Sequence, residues 1–441
     1  MALCLMFAGY ATAQTAAGPP SITLDEAIAR ARANEPGFAA AVAASRVNAL
    51  DKSIAQAALL PGVVYHNQYI YTQGATGVTG SGNASAGSAT VSGVPRFIAN
   101  NTVHEYQSQG VVTETIGLQQ VTAVARASAS AAVAEAEMEI ARRGLVSTVV
   151  GLFYGELAAE RKQAVAARAA QEASGFTTLT RRREDAREAA HADVVKAQLQ
   201  QQQRERDVQD ATLAAGKARL ELAVLLFPDP ASVRGTAYTL AVPAVPELAT
   251  RADVEAAAAK GNPELKSAMM SLRVSALDVR SARAAYLPDL GVSFAYGIDA
   301  AEFAANGRDG VKNLGYSATA TLDIPVWDWL STEHKVKQAE ILRDSAKVTL
   351  TAAQRRLIAD LDELYAEAAV ARDQMQSLEL SAQTAEESLK LTRLRYTAGE
   401  ATVLEVVDAQ NSFTSAEVAR EDGMVRYQTA LANLQILTGT I

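Results

Sequence analysis

The sequence predicts a mixed α and β membrane protein in which one structural unit is written twice. Three observations carry that prediction: an internal repeat, long stretches free of proline at helical periodicity, and short alternating segments with aromatics on one face. The chain has 441 residues, of which 49% are hydrophobic, 20% charged and only 5% aromatic, with formal net charge −8. About a fifth of it is alanine, so much of the apolar surface is small and suits closely packed long helices.

Two blocks establish the duplication. Shifting Leu24–Val63 by 227 places Pro36 on Pro263, Arg46 and Val47 on Arg273 and Val274, and Leu60 and Pro61 on Leu287 and Pro288. Roughly fourteen of forty positions agree without a gap. Near a shift of 212, Arg181 and Arg183 fall on Arg393 and Arg395, Glu188 and Ala189 on Glu400 and Ala401, and Ala197 and Gln198 on Ala409 and Gln410. The shifts differ by 15, so the first half carries an insertion, seated in the Gly/Ser/Thr-rich stretch 73–94 and read as an exposed loop. The domain reading is residues 1–13 a signal peptide, 14–227 the first repeat, 228–248 a linker and 249–441 the second repeat.

Taken in order, the opening segment is apolar and ends Ala11-Thr-Ala13, which fits secretory cleavage after Ala13, with no basic n-region ahead of it. Cys4 lies inside that run and is expected to leave with it. Each repeat then opens with a helix, over about 24–60 and 250–287, broken early at Pro36 or Pro263 and ended by Pro61 or Pro288. Strands follow at 63–71, 103–116, 290–299 and 313–325. Val292, Phe294, Tyr296 and Ile298 take one face, and Gly291, Ser293, Ala295 and Gly297 the other; the strand at 103–116 alternates less regularly. Alternation alone fits either a wet, lipid-facing barrel or a half-buried soluble sheet.

The helices decide between them. Residues 119–185 hold no proline, and 328–397 hold neither proline nor glycine, so each predicts a helix of about 100 Å at 1.5 Å per residue. Shorter helices over 190–226 and 402–438 follow, the last with apolar residues at coiled-coil spacing. Four strands cannot close a barrel, so several copies are expected to contribute.

Composition excludes other classes. One Cys leaves no disulfide framework or multi-Cys metal site, and His66, His104, His191 and His334 form no ligand pattern. No basic stripe marks a nucleic-acid binder. No catalytic or nucleotide motif is present, so no enzyme, cofactor or metal is expected.

The duplication, the segment Arg395-Tyr396-Thr397-Ala398-Gly399-Glu400 running on to Glu405 and Asp408, and Ile324-Pro325-Val326-Trp327-Asp328 together resemble the TolC-type outer membrane factor family. The resemblance covers nearly the whole mature chain. It implies a homotrimer: an outer membrane β-barrel with four strands per protomer, continuous with an α-helical coiled-coil barrel through the periplasm. It also implies a passive export duct of a tripartite efflux pump or type I secretion system, partnered by a periplasmic adaptor protein, an inner-membrane transporter and outer membrane lipid, and by no nucleic acid. The rival reading is a periplasmic coiled-coil scaffold or adaptor without a barrel.

The same resemblance implies the site residues. Glu405 and Asp408, one helical turn apart, would ring the pore aperture and repel one another into raised pKa values; otherwise they are solvated surface acids. Asp193, in the equivalent first-half position, would accept a closure hydrogen bond from Tyr396. Gly399 marks the second helix-tip turn, and Arg187 stands in its place in the first, which is expected to give that turn a different shape. Ala401 stands where some members carry a basic closure residue. Arg181, Arg182 and Arg183 offer an adaptor docking patch or a solvated face, and Trp327 and Trp329 an interfacial belt or core packing.

Overall fold

The computed structural model describes residues 21–71, 104–229, 238–242, 247–307, 310 and 312–440. The proposed signal peptide with Cys4, the 73–94 loop and parts of the 228–248 linker lie outside the described residues. Two compact units form: Met1–Ser45 with Ala134–Ser267 and Leu350–Ile441, and Arg46–Val133 with Ala268–Thr349.

The same order of elements occurs twice along the chain. In the first, β1 (Ser21–Ile22) leads to α1 (Leu24–Asn34), α2 (Pro36–Ala57), β2 (Gly62–Tyr71), β3 (His104–Ile116), α3 (Leu118–Asp185) and α4 (His191–Leu226). In the second, β4 (Thr239–Leu240) leads to α5 (Arg251–Gly261), α6 (Pro263–Ala284), β5 (Asp289–Ala300), β6 (Leu314–Asp323), α7 (Ser331–Thr397) and α8 (Val403–Thr438). The expected early break divides each leading helix in two. Thr23 and Thr250, 227 apart, cap the first of each pair by accepting from Glu26 and Asp253 backbone N–H groups. Glu35 and Asn262 end it, and their side chains then accept from the N–H groups of Phe38 and Leu265 at the start of the second. Proline at the first helical position needs no N–H, which is why the chain restarts at Pro36 and Pro263.

Within the unit holding the strands, β2, β3, β5 and β6 form one antiparallel sheet in that order. Register puts Tyr65, Gly110, Tyr296 and Tyr316 in one row, and Val63, Val112, Phe294 and Ala318 in the next row on the same face. The opposite face holds His66, Gln107, Gln109, Ser293, Asp299 and Thr319; Gln107 and Gln109 both donate to Asp299, at 3.3 and 3.2 Å. β3 pairs without interruption on both sides. Its sequence reads as irregular because Ser108 and Gly110 occupy the aromatic face. Tyr65, Tyr69, Tyr71, Tyr296 and Tyr316 are all more than half exposed. Trp327 and Trp329 are exposed as well and meet edge to face at 5.9 Å, so they pack on each other rather than in a core.

In the other unit, β1 and β4 make a short parallel pair that two-residue strands gave no means of predicting. Beneath it Ile22, Ala27, Ala31, Val146, Val149, Phe153, Leu222 and Leu226 form the main core. A second core cluster holds Val254, Ala258, Leu361 and Leu434, which stand 227 or 212 positions after Ala27, Ala31, Val149 and Leu222. Among the described residues no helix is long and apolar enough to cross a membrane.

Candidate functional site

The two chain reversals, after Asp185 and after Thr397, lie in the same unit and pack on each other. At the first, Arg187 donates its N–H to Glu184 carbonyl at 2.8 Å, and Glu188 to Arg183 carbonyl at 2.7 Å. At the second, Gly399 donates to Tyr396 at 3.1 Å and Glu400 to Arg395 at 2.8 Å. These are the same bonds 212 positions apart, and they satisfy the last helical carbonyls. Arg187 and Gly399 are both left-handed, φ 63° and 83°. The expected difference in shape is therefore absent: hydrogen bonding and hairpin packing hold Arg187 in the conformation glycine adopts freely.

The restarts differ. Thr402 caps α8 in a reciprocal box with Glu405, the threonine hydroxyl accepting from Glu405 N–H and the carboxylate accepting from Thr402 N–H at 3.2 Å. The equivalent Ala190 gives α4 no side-chain cap, although Asp193 stands where the box needs its acid.

Tyr396 is buried between the tips. Its hydroxyl donates to Thr180 Oγ1 at 3.3 Å, and Thr180 donates onward to Phe176 carbonyl at 2.9 Å. Phe176 meets the ring at 5.1 Å, with Ala197, Val403 and Val406 closing the cluster. The Arg183 guanidinium lies over the Tyr396 ring at 4.9 Å, donates to the Tyr396 carbonyl and pairs with Glu188 at 3.4 Å. The expected Asp193–Tyr396 hydrogen bond is not made within the chain, because Thr180 takes that place. Of the three arginines, Arg181 and Arg182 are exposed. Arg183 is folded inward, because an aromatic face, a carbonyl and a carboxylate all lie within its reach.

Glu405 and Asp408 are exposed on one face of α8. Glu405 pairs with Arg395 at 3.4 Å. The Thr402 N–H, then its hydroxyl and then the Arg395 charge hold the Glu405 carboxyl below its usual range. Within one chain its shift thus runs opposite to the one expected from a carboxylate ring, since the ring needs other copies and the cap does not. Asp408 has no ion-pair partner among the described residues.

Two polar groups deeper in this unit escaped sequence reasoning. Glu156 is fully buried in the main core, accepting from the Tyr238 hydroxyl at 2.9 Å, while its other oxygen has no hydrogen-bond partner among the described residues. Burial pushes its carboxyl up to about 7, with the Tyr238 hydrogen bond opposing and Glu160 adding. Glu139 goes the other way, to about 2, chiefly through its Arg142 hydrogen bonds. Neither acid carries a local motif. Among the described residues no group of three or more His, Cys, Asp or Glu could hold a metal.

Paired long helical hairpins with a small aromatic-faced sheet define the class: a fold shared with bacterial outer membrane channels. Residues 255–440 match the family model described as outer membrane efflux protein. Outer membrane protein OprJ of Pseudomonas aeruginosa is 28% identical over 172 residues, which are 39% of this chain and 36% of the length of OprJ. The crystal structure of a membrane protein from Pseudomonas aeruginosa superposes with TM-score 0.78 at 20% identity, over 96% of this chain and 91% of that one. The Campylobacter jejuni CmeC outer membrane channel does so with TM-score 0.77 at 16% identity, over 100% and 94%. The resemblance to the TolC-type outer membrane factors is borne out, and the family is one of channels rather than enzymes.

Proposed function

We propose that the chain is a passive export duct of the Gram-negative outer membrane, extending into the periplasm and working as a homotrimer. One observation carries this best: a four-stranded antiparallel sheet whose register gathers exposed tyrosines on one face and small or polar groups on the other. Lipid demands a closed, fully hydrogen-bonded backbone, and four strands cannot close on themselves, so three copies would supply a twelve-stranded barrel. The paired hairpins would continue the duct below it. Energy and substrate choice would come from an inner-membrane transporter, coupled through a periplasmic adaptor.

In this reading the helix tips form the periplasmic aperture. Glu405 and Asp408 of three copies would line it, and Asp193 would add a second set at the equivalent tip position. Arg181 and Arg182 would face the adaptor, while Trp327 and Trp329 would sit at the membrane interface. The experiment is fractionation followed by conductance in planar bilayers. The duct requires detergent for extraction and gives discrete channel steps; recovery in the aqueous periplasmic fraction would point instead to the scaffold reading.

A further inference from the structure

The two repeats of one chain meet at a seam that Arg143 of α3 fastens. Its Nη1 donates to the carbonyls of Ile436 and Leu437 at 3.0 Å each, and its Nη2 to that of Gly261 at 2.7 Å. These carbonyls belong to the closing turns of α8 and α5, where helix ends leave acceptors unsatisfied and the dipole favours a cation. Glu139, one turn back, accepts from Arg143 Nε at 3.0 Å and holds it in place. Beside it Val146, Ala432 and Ile436 are 0%, 2% and 8% exposed.

Each of these positions has a copy in the other repeat. Arg143 corresponds to Arg355, Glu139 to Thr351, which brings no carboxylate, and Val146 to Ile358; Ala432, Ile436 and Leu437 correspond to Leu220, Val224 and Leu225; Gly261 corresponds to Asn34. The receiving helix ends are equivalent in structure too. Asn34 donates its side-chain amide to Leu226 carbonyl at 2.9 Å, and Gly261 lies so close to the corresponding Thr438 carbonyl that a Cβ there would approach it to 2.8 Å.

Yet this second joint is open. Arg355 is exposed and has no hydrogen-bond or ion-pair partner among the described residues. Ile358, Leu220 and Val224 are 64%, 45% and 60% exposed, where their counterparts are buried. The carbonyls of Val224 and Leu225 lack partners among the described residues. Pro228, four residues after Val224, has no N–H to offer.

We infer that a second copy of this chain completes the joint. Arg355 of one copy donates to the Val224, Leu225 and Asn34 carbonyls of the next, with Ile358 packed on Leu220 and Val224. A donor edge on α7 and an acceptor edge on α4 make the contact heterologous, so it ends only when the copies close a ring. Farther along, the Arg161–Glu421 and Arg168–Glu417 ion pairs are replaced by Asp373 with Gln209 and by Leu380 with Glu205, which confines the chemical equivalence to the Arg355 end. The inference rests on the multi-copy reading of the duct.

The test co-expresses two differently tagged full-length chains in a Cys4→Ser background, one with Leu220→Cys and the other with Ile358→Cys. Mild oxidation is expected to yield a mixed disulfide carrying both tags, and neither variant expressed alone yields one. Arg355→Ala is expected to weaken the detergent-solubilised oligomer about tenfold, as loss of charged hydrogen bonds implies, with Arg355→Lys retaining part of the strength. An intact oligomer that gives no mixed disulfide overturns this joint while leaving the duct reading standing. A chain that is monomeric in the unsubstituted form overturns both.

Discussion

Arg187 and Gly399 hold the same left-handed backbone at the ends of α3 and α7, although only one of them is a glycine. The Arg187 side chain is exposed and makes no hydrogen bond or ion pair among the described residues, so nothing it touches offsets that conformation. Arg187→Gly is expected to stabilise the chain by about 1 kcal/mol, the ordinary cost of a left-handed residue with a Cβ. Gly399→Ala should destabilise it by a similar amount. Thermal melts followed by helical circular dichroism check both, and equal melting for all three chains would contradict the argument.

Tyr396 separates ring packing from hydrogen bonding. Tyr396→Phe keeps the ring contacts with Phe176 and Arg183 and loses only the bond to Thr180, so a loss of about 1 kcal/mol or less is expected. Tyr396→Ala empties the cluster and should cost about 3–5 kcal/mol locally. In planar bilayers the alanine variant is expected to open more often and the phenylalanine variant to behave nearly as the parent. Matching behaviour of the two would mean that the tips are not held by this ring.

Glu156 makes stability depend on pH. Its folded value, about 7, lies above the ordinary 4.5, so as pH rises the unfolded chain releases this proton first. The associated stability is fully present below about 4.5, is lost as pH rises through about 7, and changes no further beyond that; the whole effect is about 3 kcal/mol. Glu156→Gln removes the ionisation while retaining an acceptor for Tyr238. Denaturant midpoints should therefore be similar at low pH and favour the glutamine chain above neutrality. Parallel pH profiles for the two chains would sink this account.

For the aperture, Glu405→Ala combined with Asp408→Ala is expected to reduce cation selectivity, measured as reversal potential across a salt gradient. Replacing Glu405 by Ala also removes the carboxylate half of the α8 capping box, while the Thr402 hydroxyl still accepts from the backbone N–H of that position. Glu405→Gln with Asp408→Asn is therefore the companion variant, since it removes charge and retains hydrogen bonding. Unchanged selectivity in the companion takes these residues out of the pore.

Much of this architecture was legible because it depends on repeated, long-range patterns. Pro36 and Pro263 mark helix starts, and the proline-free runs mark the two longest helices, in any context. The alternation of Phe294 and Tyr296 with Ser293 and Ala295 states which face each belongs to before any partner strand is known. What sequence could not supply was pairing between distant positions. Nothing around Tyr396 says that Thr180, more than two hundred residues earlier, takes its hydroxyl. Glu156 reads like any helix-surface acid until α3, α4 and Tyr238 are packed together. Arg183 looks like its exposed neighbours Arg181 and Arg182 because a run of like residues hides which one faces inward.

The uncapped Ala190 has a mechanical consequence. The two tips follow one backbone path, but the first carries an arginine where the second has glycine and an alanine where the second has a threonine cap. Each substitution removes about 1 kcal/mol from the same geometry. Under an equal pull, then, the hairpin of α3 and α4 is the compliant member of the pair, and that of α7 and α8 is the stiff one.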